Sequence, residues 1–207
     1  MLESEGRWAL LTAFFFVCAF SFVDVAVPSA AAQEQAAPDP CASCHGAGGN
    51  STTPGIPSIA GQPQLFLENQ LILFREGLRR SEAMEPVVKG MKDAEIVVLA
   101  KRFAALPPKR ATQSAPDPAL ARTGRALAKK LHCGSCHVPD FRGQNQIPRL
   151  AGQREEYLVA EMRAYRDGKR TGGDTIMSSV LYGVTDGEID ALAHFLAHLP
   201  PSSRARR

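Results

Sequence analysis

Two five-residue segments constrain this chain more than any other feature: Cys41-Ala-Ser-Cys44-His45 and Cys133-Gly-Ser-Cys136-His137, 92 positions apart. Each sets two thiols three positions apart, with an imidazole directly after the second. Of five cysteines in 207 residues, four fall inside these segments and only Cys18 lies elsewhere. A chain that places its cysteines this way is building one kind of site twice.

The flanking sequence is duplicated as well. IPSIAGQPQLFLENQLILFREGLR from Ile56 aligns with IPRLAGQREEYLVAEMRAYRDGKR from Ile147 at an offset of 91. Ile-Pro, Ala-Gly-Gln, an aromatic-Leu pair, Arg-x-Gly and a following basic residue coincide. Further on the offset becomes 93 and pairs Met84 with Met177, Ile96 with Ile189, Leu99 with Leu192 and Pro107 with Pro200. Ordered matches at a fixed period mark an internal repeat, here of about 75 to 90 residues. The Pro-rich, small-polar stretch from Pro107 to Pro118 reads as a loop between the copies. The predicted organisation is a signal at 1–32, a first unit at 33–108, a linker at 109–118 and a second unit at 119–207.

Both units read as helical. Leu67, Leu71, Phe74 and Leu78 form a stripe at helical spacing, and Leu158, Met162 and Tyr165 repeat it. Pro63 suits the first turn of the first of these helices. The closing helices carry Ile96, Leu99, Ala100 and Phe103 in one copy, and Ile189, Leu192, Ala193 and Leu196 in the other. Thr185 and Glu188 fit a capping box at the start of the last helix. No alternating strand pattern competes.

Residues 8–23 are almost wholly apolar, Arg7 precedes them, and small residues fitting Ala-x-Ala follow. That order predicts an export signal ending at Ala32, with an attached N-terminal anchor as the alternative. A retained segment would tie the protein to a membrane, although the apolar run falls short of the about 20 residues that a span needs. Without residues 1–32 the chain carries 23 basic and 18 acidic residues, a net charge of +5. The terminal Arg-Ala-Arg-Arg reads as a frayed tail, and nothing points to nucleic acid.

Cys-x-x-Cys followed at once by His is the attachment pattern of a covalent haem. The two thiols reach the vinyl groups along one haem edge, and the adjacent imidazole offers a nitrogen to iron. A zinc site and a redox dithiol are the alternatives. Zinc ribbons do not sit in duplicated helical units, and the dithiol needs a strand-helix context that is absent here. His45 and His137 are therefore candidate iron ligands. For the sixth position the repeat singles out Met84, 39 residues after His45, and Met177, 40 after His137. Met91 competes with Met84, but its counterpart is Val184; Met162 faces Leu71 and reads as packing. The second ring nitrogen of a ligand histidine needs an acceptor. Pro57 and Pro148, each in a matching Ile-Pro pair, offer carbonyls. His132 reads as exposed. His194 and His198 are one turn apart and could bind a metal, but they lie off the apolar stripe and read as a solvated face.

The order of Cys-x-x-Cys-His, Gly-rich loop, Ile-Pro-x-Leu/Ile-Ala-Gly-Gln, aromatic-Leu helix, Arg-x-Gly, Met and closing helix resembles class I cytochrome c. Its tandem form is similar to the dihaem cytochromes c4, over roughly residues 38–201. The resemblance implies an all-α fold of two tandem class I domains, each wrapped around one covalently bound haem c. It implies that Cys41, Cys44, Cys133 and Cys136 attach the haems, that His45 with Met84 and His137 with Met177 are axial ligands, and that Pro57 and Pro148 are the backbone acceptors. The sequence departs from the family in one place. Asp117-Pro118 can open a helix before the second motif, but only a short polar stretch precedes the first. Ile96, Leu99 and Phe103 are therefore expected to need cover from the second unit or a partner.

The function expected is that of a periplasmic electron carrier, not an enzyme, working between redox proteins such as a quinol–cytochrome c reductase and a terminal oxidase. The alternatives are a haem subunit of a periplasmic dehydrogenase or, further off, a dihaem peroxidase.

Overall fold

A computed structural model of the chain describes residues 40–111, 115–172 and 175–202. The expected signal and the Arg-Ala-Arg-Arg tail lie outside the described residues. Residues 37–207 form one compact unit. Among the described residues the regular structure is helical: α1 (Ala42–His45), α2 (Gln64–Arg75), α3 (Glu85–Val88), α4 (Asp93–Ala105), α5 (Pro118–Lys130), α6 (Cys133–His137), α7 (Glu155–Arg166), α8 (Thr175–Leu181) and α9 (Asp186–His198). The repeat maps α1 to α6, α2 to α7, α3 to α8 and α4 to α9. Among the described residues α5 has no counterpart.

Each closing helix packs on the long helix of its own copy, α4 on α2 and α9 on α7. Leu67, Ala100 and Phe103 are buried together in the first copy, with Ile59, Phe66, Leu99 and Leu106 packed against them. Leu158, Met162, Ile189, Leu192 and Leu196 belong to the larger core of the second. Burying such side chains contributes about 1.5 to 3 kcal/mol each before entropy is counted. Leu78 breaks the predicted stripe: α2 ends at Arg75, and Leu78 is 55% exposed in the loop beyond it. Pro63 caps α2 in an extended conformation, one step before the first turn.

The caps follow local chemistry. The Asp117 side chain accepts from the N–H groups of Ala119 and Leu120, with Pro118 next in line. The Thr185–Glu188 capping box closes the start of α9. The Arg of each Arg-x-Gly clamps its closing helix to its long helix. Arg75 bonds Glu76, Asp93 and the Met91 carbonyl, and Arg166 bonds Asp167, Asp186 and the Val184 carbonyl. The Gly of Ala-Gly-Gln is required in both copies. Gly61 and Gly152 have φ of 64° and 67°, and a Cβ there would press on Pro108 or Pro201. Their N–H groups bond Phe103 O at 2.9 Å and Leu196 O at 3.0 Å.

Cover for the first copy differs from expectation. Ile96 and Phe103 are buried and Leu99 half-buried, and the residues packed with Phe103 come from the first copy itself. The uncovered face of α4 is another one. In the second copy α5 crosses α9 so closely that a Cβ on Gly124 would lie 2.0 Å from Ala191 O. The α4 residue equivalent to Ala191 is Val98, which is 66% exposed.

The copies meet across a pseudo-twofold axis. Gln62 donates to Arg149 O at 3.0 Å and accepts from Arg149 N–H at 2.8 Å. Its repeat-mate Gln153 donates to Ser58 O at 2.9 Å and accepts from Ser58 N–H at 2.7 Å. A second junction obeys the same symmetry: Arg79 and its mate Arg170 each bond both Gln70 and its mate Glu161.

Candidate functional site

The two motifs fold as single helical turns that bring cysteine and histidine to opposite degrees of exposure. Cys44 and Cys136 are exposed, Cys41 and Cys133 half-buried, and all four are thiols. His45 and His137 are buried, with 8% and 6% of their surface accessible. His45 Nδ1 lies 2.8 Å from Pro57 O, and His137 Nδ1 lies 2.9 Å from Pro148 O. A carbonyl only accepts, so Nδ1 carries the proton in each ring and Nε2 is the donor atom for a metal. Burial also holds the His137 imidazole below its ordinary pKa, which favours the neutral ring, the form able to donate to a metal.

The backbone after each histidine turns through positive φ. Gly46 and Gly49 do this in the first copy at 77° and 74°; Val138 and Phe141 do it in the second at 60° and 55°. The carbonyl at the second of these positions then accepts two N–H groups of the returning loop. Gly49 O takes Ile59 and Ala60, and Phe141 O takes Leu150 and Ala151. This loop delivers Pro57 or Pro148 to its histidine.

Met84 precedes α3, its N–H bonded to Ser81 Oγ, and is half-buried. Met177 lies within α8, half-buried, and packs with Cys133 against the second core. Met162 is buried in that core, as its packing assignment requires. The Met91 carbonyl serves the Arg75 clamp. These donors fit a covalently held haem: accessible thiols, an imidazole with Nε2 as its donor atom, and a thioether after it in each copy. They do not fit one zinc centre, because among the described residues the motif thiols and imidazoles form no joint metal-binding cluster.

His132 is exposed. His194 and His198 are not a solvated face. His194 is 2% exposed, its Nε2 accepts the Asp117 N–H at 2.8 Å, and its Nδ1 lies 3.2 Å from Glu155 Oε1. α5 and α7 cover what the periodicity of α9 alone leaves open. Glu155, His194 and His198 each place a ligand atom within 4.8 Å of the others. Yet Nε2 of His194 is an acceptor, so its Nδ1 carries the proton and offers Glu155 a hydrogen bond instead of offering a cation an electron pair. Gln62, Gln153 and Arg149 were not legible as special from spacing. The signal for the glutamines was the Ala-Gly-Gln identity in both copies.

The family model Cytochrome c matches residues 121–200. The thiosulfate dehydrogenase electron acceptor of Thiomonas intermedia is 34% identical over 172 residues, covering 78% of this chain and 79% of that protein. Cytochrome c4 of Pseudomonas aeruginosa is 31% identical over 180 residues, covering 82% of this chain and 88% of its own length. The crystal structure of reduced recombinant cytochrome c4 from Pseudomonas stutzeri superposes with a TM-score of 0.70 at 30% identity, covering 77% of this chain and 93% of that one.

Proposed function

This chain belongs to the cytochrome c4 family of class I, dihaem electron-transfer cytochromes, and from that premise we propose which residues do the work. Cys41 and Cys44 attach one haem c, and Cys133 and Cys136 the other. His45 with Met84, and His137 with Met177, ligate the two irons, while Pro57 and Pro148 orient the imidazoles. Each haem iron supplies one-electron exchange between its ferric and ferrous states, so the protein takes up an electron from one redox partner and passes it to another. The chain's contribution is positional. Nδ1–H donation fixes each ring plane and raises the basicity of Nε2. A thioether as second ligand favours the ferrous state and raises the potential.

The observation that carries this reading is the repetition of the His–Pro hydrogen bond at 2.8 and 2.9 Å behind a Cys-x-x-Cys-His turn. The test is one sample measured in two ways. Intact mass should equal the polypeptide plus two haems. The oxidised spectrum should show the near-infrared methionine–iron charge-transfer band at an intensity accounting for both. A colourless product, or carbon monoxide binding to either native ferrous centre, overturns it.

The composition of residues 1–32 supports export, and with it a periplasmic location. The domain boundaries we adopt are 33–108 and 119–207, joined by 109–118. Among the described residues no helix is long and apolar enough to cross a membrane. The partners we assign are a periplasmic dehydrogenase or a quinol–cytochrome c reductase as donor and a terminal oxidase as acceptor. The likeness to a thiosulfate dehydrogenase electron acceptor favours the dehydrogenase as donor. Reduction by such an enzyme at a rate that saturates with cytochrome concentration would support that choice, and reduction only by the quinol-oxidising complex would exclude it.

A further inference from the structure

The segments that fix the two imidazoles, 57–62 and 148–153, are also the segments that meet on the pseudo-twofold axis. The segments differ at Ile59 and Leu150, both aliphatic, and change in chemistry at one pair: Ser58 in the first copy is Arg149 in the second. The Ser58 side chain stays local and accepts the Ser51 N–H at 3.0 Å. The Arg149 side chain is 1% exposed and reaches across the axis. Its Nη2 donates to Ala60 O at 3.0 Å and its Nη1 to Ala151 O, the same carbonyl in each copy.

This guanidinium lacks a counter-charge among the described residues. The other buried arginines at the junction have one: Arg79 meets Glu161 and Arg154 meets Glu156. Arg149 meets only neutral carbonyls, and its buried Nε has no acceptor. Burial alone acts on it, pushing its pKa down to about 10, which still leaves it cationic at neutral pH. A cation so placed is strongly destabilising unless an anion joins it. The sequence around it offers none. The cofactor that the neighbouring residues fit does, because every haem carries two propionate carboxylates.

On the reading that His45 and His137 hold haem, we propose that Arg149 is the buried counter-cation of the haem propionates, donating through Nε–H to a propionate oxygen at the junction between the two copies. One guanidinium then joins three things: the Ala60 loop of the first copy, the Ala151 loop of the second, and a carboxylate of the cofactor. Docking of the copies and seating of haem become linked. A fixed positive charge beside the haem also disfavours the ferric state, which carries the higher charge, and holds the potential up.

Three holoproteins test this: wild type, Arg149→Lys, and Arg149→Ser, which installs the residue that the first copy uses. Intact mass first confirms two covalent haems in each; if wild type lacks them, the underlying reading fails and not the Arg149 assignment alone. Potentiometric titration should then show a lower reduction potential for at least one haem in Arg149→Ser, with Arg149→Lys staying nearer to wild type. Unchanged potentials in a fully loaded Arg149→Ser protein would confine Arg149 to a structural role and overturn the proposal. Should the serine variant fail to accumulate, the wild-type ferrous protein decides by proton NMR. A through-space contact between Arg149 Nε–H and propionate methylene protons is expected, and an assigned Nε–H without that contact overturns the proposal.

Discussion

A proline carbonyl 12 residues from His45 and one 11 residues from His137 settle how each ring is protonated. Neither can donate, so both histidines present Nε2, and on the proposed reading each iron would need one further ligand. If Met84 and Met177 supply it, each can be removed alone. Met177→Ala should retain both covalent haems, lose about half of the charge-transfer band, and let carbon monoxide bind about half of the ferrous haem. Met84→Ala should do the same at the other centre, and an intact band in either variant would assign the thioether elsewhere. Val138 makes a separate case. It follows His137 at φ 60° and ψ 160°, where its mate Gly46 has φ 77° and ψ 165°. A β-branched residue is strained there by about 1 to 3 kcal/mol, and glycine recovers this less about 0.5 to 1 kcal/mol of backbone entropy. Val138→Gly should therefore stabilise the holoprotein by about 1 kcal/mol, read as a higher denaturant midpoint. The reverse change, Gly46→Val, should destabilise, since a Cβ there would lie 2.3 Å from Asn50 O.

Among the elements, α5 separates the copies most clearly. It was legible from Asp117-Pro118 and its helical run, and its closeness to α9 follows from Gly124. Gly124→Ala places a methyl group against the Ala191 carbonyl, backbone that cannot move aside. The expected cost is about 3 kcal/mol, with melting of the second copy's far-ultraviolet signal at lower denaturant; a change below about 0.5 kcal/mol would mean that the helices separate freely. The clamp at the other end of α9 responds to pH. The hydrogen bond from Arg166 is the largest cause holding Asp186, and likewise Asp167, below the ordinary carboxylate value of 3.8. With folded pKa values depressed, this stabilisation is fully present above the unfolded value and is lost as pH falls through the folded one. The stability gap between wild type and Arg166→Gln should thus be constant above about pH 5 and narrow as pH drops below 3.8. A gap that stayed constant under acid would assign the clamp to the Val184 carbonyl alone. The Arg-x-Gly repeat announced that something was shared here, but not what. The aspartate on each closing helix lies 18 or 20 residues from its arginine, beyond any local pattern. His194 was misread for the same reason: the periodicity of α9 records one stripe, whereas α5 and α7 bury a second side of the helix.

For the whole molecule the sequence showed two copies, yet spacing does not reveal how copies dock. Ser58 and Arg149 align without any hint that their backbones are what the partner's glutamine reads. Gln62 and Gln153 each close a reciprocal pair of hydrogen bonds onto backbone of the other copy, over separations of 87 and 95 residues. The groups they satisfy on the other copy are buried, so truncating a glutamine leaves a donor and an acceptor bare there, at about 1 to 3 kcal/mol per site. The two sites share one interface and should couple rather than add. Wild-type holoprotein should unfold in a single calorimetric transition, because residues 37–207 form one compact unit. Gln62→Ala and Gln153→Ala should each lower the transition temperature, Gln153→Ala by more, because its Oε1 also accepts the N–H of Arg154, whose mate Pro63 has none. Together they should split the transition in two, each half melting on its own core while both haems remain attached. If the double variant still unfolds in one step at nearly the wild-type temperature, the copies are held by the Arg79–Glu161–Arg170 junction, and the glutamines only set their register.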